Sequence, residues 1–189
     1  MTQQDTRKER TRARMISSAG HRLKIDGIDG SGVSTLMSDA GLTNGAFYAH
    51  FGSKVDLVAA AVTDQLRIQR DAIASLSDDR AALEVFIADY LSAGHRDHPE
   101  DGCPSAALLT DITRSKDVVR ESYTVEIEKM IELLAERIHC ADPARARVNA
   151  IGLITTLIAS MQLSRAITDP VASDEVLAAG RTNCRRFLD

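Results

Sequence analysis

An all-α fold is predicted by three observations. Apolar residues recur at helical spacing from one end of the 189-residue chain to the other. No segment sustains the alternation of β-branched residues, bounded by turns, that marks a strand. Hydrophobic residues make up 44% and charged residues 26% of the chain, the balance of a globular protein with enough apolar surface for one generous domain or two small ones. The expected architecture is an N-terminal three-helix unit, residues 1–54, joined by a long helix to a larger helical unit, residues 55–189.

Each element has a local reason. From Thr6 to Gly27, Met15, Ile16, Ala19 and Leu23 fall on one helical stripe and Gly27 follows its end. VSTLMSDAGL makes a short second helix stopped by Gly41. TNGAFYAHF makes a third, opened by Thr43 or Asn44 as cap and finished before Gly52. Ser53 is placed as N-cap of a long fourth helix, with Asp56 as the acidic counterpart of a capping box. Further on, Leu83, Phe86, Ile87, Tyr90 and Leu91 form one stripe, and the polar stretch HRDHPEDG reads as a loop. Pro104 opens the next helix, in the first turn where a missing N–H is tolerated. Val119, Tyr123, Ile127, Met130, Leu134 and Ile138 make the stripe of a long helix after it. ARARVNAIGLITTLIASMQLSRAI is apolar almost all round and calls for cover on more than one side. The last helix brings Val176, Gly180, Cys184 and Phe187 to near-helical steps. With Ile158, those four are the expected dimer-interface residues. The alternative is a protomer whose final helix folds over the preceding one.

Charge is unevenly spread. The chain carries a net −4, yet residues 1–24 hold five more basic than acidic groups, which suits contact with a polyanion through that end or a solvated helix face. Cys103, Cys140 and Cys184 are an odd, widely spaced set without a CxxC pair, as in a reducing compartment. The most apolar stretch is too short and too interrupted to cross a bilayer, and the N-terminus lacks an apolar h-region. A cytoplasmic protein without a membrane partner is expected.

The stretch GIDGSGVST, Gly27 to Thr35, matches a phosphate-binding loop except that Val33 stands where the pattern needs Lys. It also follows a basic helix instead of a strand. A phosphoryl-transfer enzyme is therefore the minor alternative, and no catalytic residue and no cofactor are expected. A more specific signal follows it: two short helices separated by AGLTNG form a helix-turn-helix.

The segment GLTNGAFYAHFGSKVDLV resembles the signature of the TetR family of bacterial transcriptional regulators, strongly from about Arg10 to Val62 and beyond that only in general layout. The family pattern is present as Phe47, Tyr48, Ala49, His50, Phe51, Gly52, Ser53 and Lys54. The resemblance implies that Thr43, Asn44, Gly45 and Ala46 open the recognition helix and face base edges, while Tyr48, His50 and Lys54 sit at phosphates. For Tyr48 and His50 the alternative is half-buried packing. Gly32 stands where the family places a phosphate-binding Ser or Thr, leaving Ser31, Ser34 or Thr35 to substitute. The resemblance further implies a homodimeric, ligand-responsive repressor on a palindromic double-stranded DNA operator.

The effector is unknown. Phe86, Tyr90, Leu108, Tyr123, Ile127, Leu157 and Met161 are candidates to line its cavity, or are plain core. Cys103, directly after Gly102 at a helix start, is a candidate redox or electrophile sensor or a small buried hydrophobe. His95, His98 and Cys103 lie in a nine-residue stretch of ligand-type side chains. A metal-binding sensor is thus a third reading, although the spacing matches no recognised zinc site and no bound metal is expected.

Overall fold

A computed structural model describes residues 3–189. Ten α-helices follow one another, and no strand occurs among the described residues. They are α1 (Gln3–Gly30), α2 (Val33–Asp39), α3 (Asn44–Tyr48), α4 (Lys54–Ala74), α5 (Arg80–Tyr90), α6 (Ala93–Asp97), α7 (Pro104–Arg114), α8 (Asp117–Arg137), α9 (Pro143–Ala166) and α10 (Pro170–Arg185). The stretch expected as a loop after Leu91 is instead α6 plus a 3-10 turn, Pro99–Asp101. Ser92 starts α6 by accepting the His95 N–H, and Pro99 fixes the first position of the turn.

α1 breaks where the glycine predicts. Gly27 has φ 77°, a left-handed conformation in which a side chain is strained, and a Cβ there would stand 2.9 Å from Asp111 Oδ2. The turn that follows is clamped on both sides. Asp111 of α7 accepts the Ile28 N–H at 3.3 Å, and Lys54 of α4 donates to the Ile28 carbonyl at 2.5 Å.

Two hydrophobic cores result. The first gathers Met15, Leu23, Leu36, Met37, Phe47, Phe51 and α4 as far as Leu66, and is completed by Leu108, Ile112 and Val119 from α7 and α8. The second lies among α5, α7, α8, α9 and α10. α4 runs from one to the other. Ser53 caps it, its Oγ accepting the Asp56 N–H, a contact worth about 1 kcal/mol. At its far end Arg137 donates to the carbonyls of Ala74, Leu76 and Ser77, placing a cation on the negative helix terminus. Between them the buried Glu126 of α8 pairs with Arg70 at 2.6 Å and Lys129 at 2.6 Å, so α4 and α8 are fastened along their length.

The α9–α10 pair requires a correction. Ile158, Gly180 and Cys184 are buried inside the protomer, so they cannot present themselves to a second chain. Gly180 lets α10 lie against Ser160 of α9, and Gly152 leaves room for the half-buried Phe187. Val176 is half-buried as well. The final helix therefore folds over the preceding one. The apolar remainder of α9 faces outward through Val148, Ile151 and Leu163, which are 66%, 39% and 53% exposed. α9 is long and apolar enough to cross a membrane by length and composition, contrary to the reading of its sequence as too short, but its buried face belongs to the second core.

Candidate nucleic-acid interface and effector cavity

The helix-turn-helix is α2, the turn at Gly41 (φ 63°) and α3. Thr43, extended at φ −86° and ψ 156°, is the N-cap of α3 but makes no side-chain capping bond there. Thr43, Asn44 and Gly45 are exposed, whereas Ala46 is partly packed against the first core. Phe47 points inward at 1% exposure, edge-on to Tyr48, which is 72% exposed. Recognition-helix side chains thus divide into an inner anchor and an outer row.

Ser34 and Thr35 stand exposed in the first turn of α2. Ser31 is fully buried, which removes it as a phosphate ligand. Gly32, the N-cap of α2, has open space where a side chain would go.

Basic groups from α1 close on this surface from two sides. Arg7, Arg10, Thr11 and Arg14 share a surface groove with Leu42, the residue before Thr43. On the other side the Arg12 guanidinium lies 4.8 Å over the Phe51 ring. Among the described residues none of Arg7, Lys8, Arg10, Arg12 and Arg14 forms an ion pair. His50 sits within their field. Burial pushes its pKa below the ordinary value, and Lys8 and Arg12 push it further the same way. Its Nδ1 is buried and without a partner.

An anion placed at His50 would reverse that depression, so DNA binding is expected to take up a proton. Affinity should then rise as the pH falls from about 8 to about 6, where a histidine changes charge. His50→Gln should flatten that slope. An equal slope in both proteins would remove His50 from the contact.

In the larger unit a cavity of about 570 Å³ is lined by Gln65, Gln69, Phe86, Asp89, Tyr90, His95, His98, Asp101 and Cys103, among others. A narrow apolar cleft of about 20 Å³ lies next to it and shares Gln69, Phe86, Tyr90 and Cys103. Of the residues expected to line a cavity, Phe86, Tyr90, Ile127 and Leu157 do so. Leu108 does not, because its side of α7 turns to the first core, and Met161 is fully enclosed in the second. Tyr123 touches the site only through Ser105, whose hydroxyl lies 3.1 Å from its own. Gln65, Gln69, Ser105, Met130 and Ile154 escaped the sequence reading, since polar or unremarkable residues on long helices carry no mark of a cavity.

His95 is fully engaged. Its Nδ1–H donates to the Tyr90 carbonyl at 2.7 Å, and its Nε2 accepts the Cys103 N–H at 3.0 Å. Burial lowers its pKa, and Arg165 and Lys24 add to the depression. His98 faces Glu100 instead. No group of three or more His, Cys, Asp or Glu suited to a metal occurs among the described residues. The Gly27–Thr35 stretch likewise follows a helix and forms a helical turn plus the start of α2.

Residues 16–61 match the family described as bacterial regulatory proteins, tetR family. No curated protein matches the sequence. Several solved structures share the fold. Escherichia coli NemR in its reduced form superposes with a TM-score of 0.79 at 16% identity, over 93% of this chain and 95% of that one. A TetR-family transcriptional regulator from Agrobacterium tumefaciens gives 0.75 at 18%, over 93% and 97%. One from Cytophaga hutchinsonii gives 0.75 at 20%, over 94% of each chain.

Proposed function

We propose that this chain, whose residues 16–61 match the family of bacterial regulatory proteins, tetR family, is a homodimeric repressor released from DNA by a small molecule. Residues 1–54 are the reading unit, and residues 55–189 bind the effector and the second protomer. The observation that carries the reading is the exposed N-terminus of α3 beside five unpaired cations of α1. Thr43, Asn44 and Gly45 face base edges. Ser34, Thr35, Tyr48, His50 and Lys54 hold phosphates, which position the protein without reading sequence. Two such units related by a two-fold axis would engage half-sites about 34 Å apart or a multiple of it. The protein acts where the DNA is, in the cytoplasm, and no catalytic step is assigned to it.

The outward face of α9 supports the dimer, and the cavity beside α4 supports the effector. α4 touches both the reading unit and that cavity through Gln65 and Gln69. A coupling of about 1–3 kcal/mol between effector and DNA is enough for a useful response.

The test begins with operator duplexes selected from random sequence. Lys54→Ala should weaken binding to all duplexes alike and reduce the salt slope by about one unit, while Asn44→Ala should change preference at one base pair by roughly 1–3 kcal/mol. Should Lys54→Ala lower thermal stability yet leave the salt slope intact, Lys54 serves only the Ile28 clamp and the placement of the interface is wrong.

A further inference from the structure

Two cations beside the larger cavity have no carboxylate to neutralise them. Lys24 of α1 is only 6% exposed, yet its ammonium donates to neutral acceptors alone, Gln65 Oε1 at 2.8 Å and the Gly102 carbonyl at 2.9 Å. Arg165 of α9 is half-buried and donates to three more carbonyls, those of His95, Arg96 and Ala106. Neither forms an ion pair among the described residues. The acids of the neighbouring turn face other groups: Asp101 faces His21, Glu100 faces His98, and Asp97 pairs with Arg96. Both charges act on one place. Burial lowers the pKa of His95, a residue of the cavity wall, and Arg165 and Lys24 push it further the same way.

A buried ammonium without a counter-charge is costly, and an anion that reaches it relieves the cost. Both acceptors of Lys24 belong to residues of the cavity wall, so its Nζ lies one hydrogen bond behind that wall. Gln65 is a flexible side chain resting on α1, where Gly20 leaves it room: a Cβ at that glycine would stand 2.8 Å from its Cδ. Elsewhere the wall is apolar through Ile68, Ala72 and Phe86, and Phe86 also borders the narrow cleft. Asp89 and Asp101 lie exposed on the same lining, so a ligand with a second negative group would meet repulsion there.

We propose that the effector is a monocarboxylate with an apolar body, whose carboxylate displaces Gln65 at Lys24 while the body lies along Ile68, Ala72 and Phe86. A neutral amide acceptor is thereby exchanged for an ionised one, which makes a shorter and stronger hydrogen bond to the ammonium. Lys24 belongs to α1, so the ligand replaces a contact between α4 and the reading unit with one of its own.

This assignment rests on the reading of the cavity as the effector site, but its first test needs no DNA. Octanoate, octylamine and octanol, one apolar body with three head groups, are titrated into the intact protein by calorimetry. Octanoate should bind about tenfold tighter than octanol, the worth of one hydrogen bond to a charged group, and octylamine more weakly than either. Lys24→Met should abolish the preference for octanoate over octanol. Gln65→Glu, which sets an internal carboxylate of the same shape against Lys24, should raise the thermal midpoint and weaken octanoate about tenfold. That variant and the three head groups decide the matter even where Lys24→Met fails to fold. Octylamine bound as tightly as octanoate, no octanoate binding at all, or wild-type octanoate affinity in Gln65→Glu would overturn the proposal. Octanoate binding that leaves operator affinity unchanged would instead count against the effector reading alone.

Discussion

Arginine at both Ile151 and Leu163 is expected to yield a helical monomer that binds its operator about 100-fold more weakly or worse. Both side chains lie on the outer face of α9, a helix whose inner face is already committed to the second core. Two long charged side chains on an apolar stripe would have to be desolvated to bury that stripe against a second copy. They touch nothing essential within the protomer, so helicity should be kept. The loss on DNA follows from effective concentration: one half-site no longer holds the second reading unit near its target. Sedimentation and DNA titration check the two effects separately, and a dimer that persists in the double variant moves the interface off α9.

Gly180→Arg is expected to fail in a different manner. A Cβ at Gly180 would lie 2.6 Å from Ser160 Oγ and 3.0 Å from Leu91 Cδ1, so even the first atom of a side chain finds no room. Separating α9 from α10 would open the second core around Cys184 and Leu177, and overpacking alone commonly destabilises by about 1–3 kcal/mol before a buried charge is added. The urea midpoint should fall sharply, with aggregation or loss of cooperative unfolding. A folded monomer of wild-type stability would show that α10 packs elsewhere.

These two substitutions sit on the same pair of helices, and the contrast shows what was legible in the sequence. α9 is apolar almost all round, so its periodicity announces two buried faces without saying which belongs to its own chain. The small residues Gly152 and Gly180 decide it in three dimensions. Local features fared better, because the spacing that signals them is also the spacing that makes them. Ser53 with Asp56, and Gly27 at the end of the amphipathic stripe, are fixed by neighbours within a turn or two. For Leu108 the sequence leaves cavity lining and plain core both open, and the packing places it in the first core. Lys24 was counted with the solvated cations of α1, yet it is buried, because Gln65 and the Gly102 carbonyl come from 41 and 78 residues away. The engagement of His95 by Tyr90 and Cys103 likewise depends on a turn, Pro99–Asp101, that polar composition alone disguises as loop.

The bare cations of α1 have a consequence for how the protein would find its target. Among the described residues Arg7, Lys8, Arg10, Arg12 and Arg14 form no ion pair, so their charge is left to mobile ions. Any duplex offers phosphates that release those ions, and this gain is indifferent to base sequence. On the function proposed above, a chain built in this way would be loosely adsorbed along DNA, and its search would proceed by sliding and short hops along the contour. On that same function, an effector would meet a protein already on the polymer and would control whether sliding stops at one place.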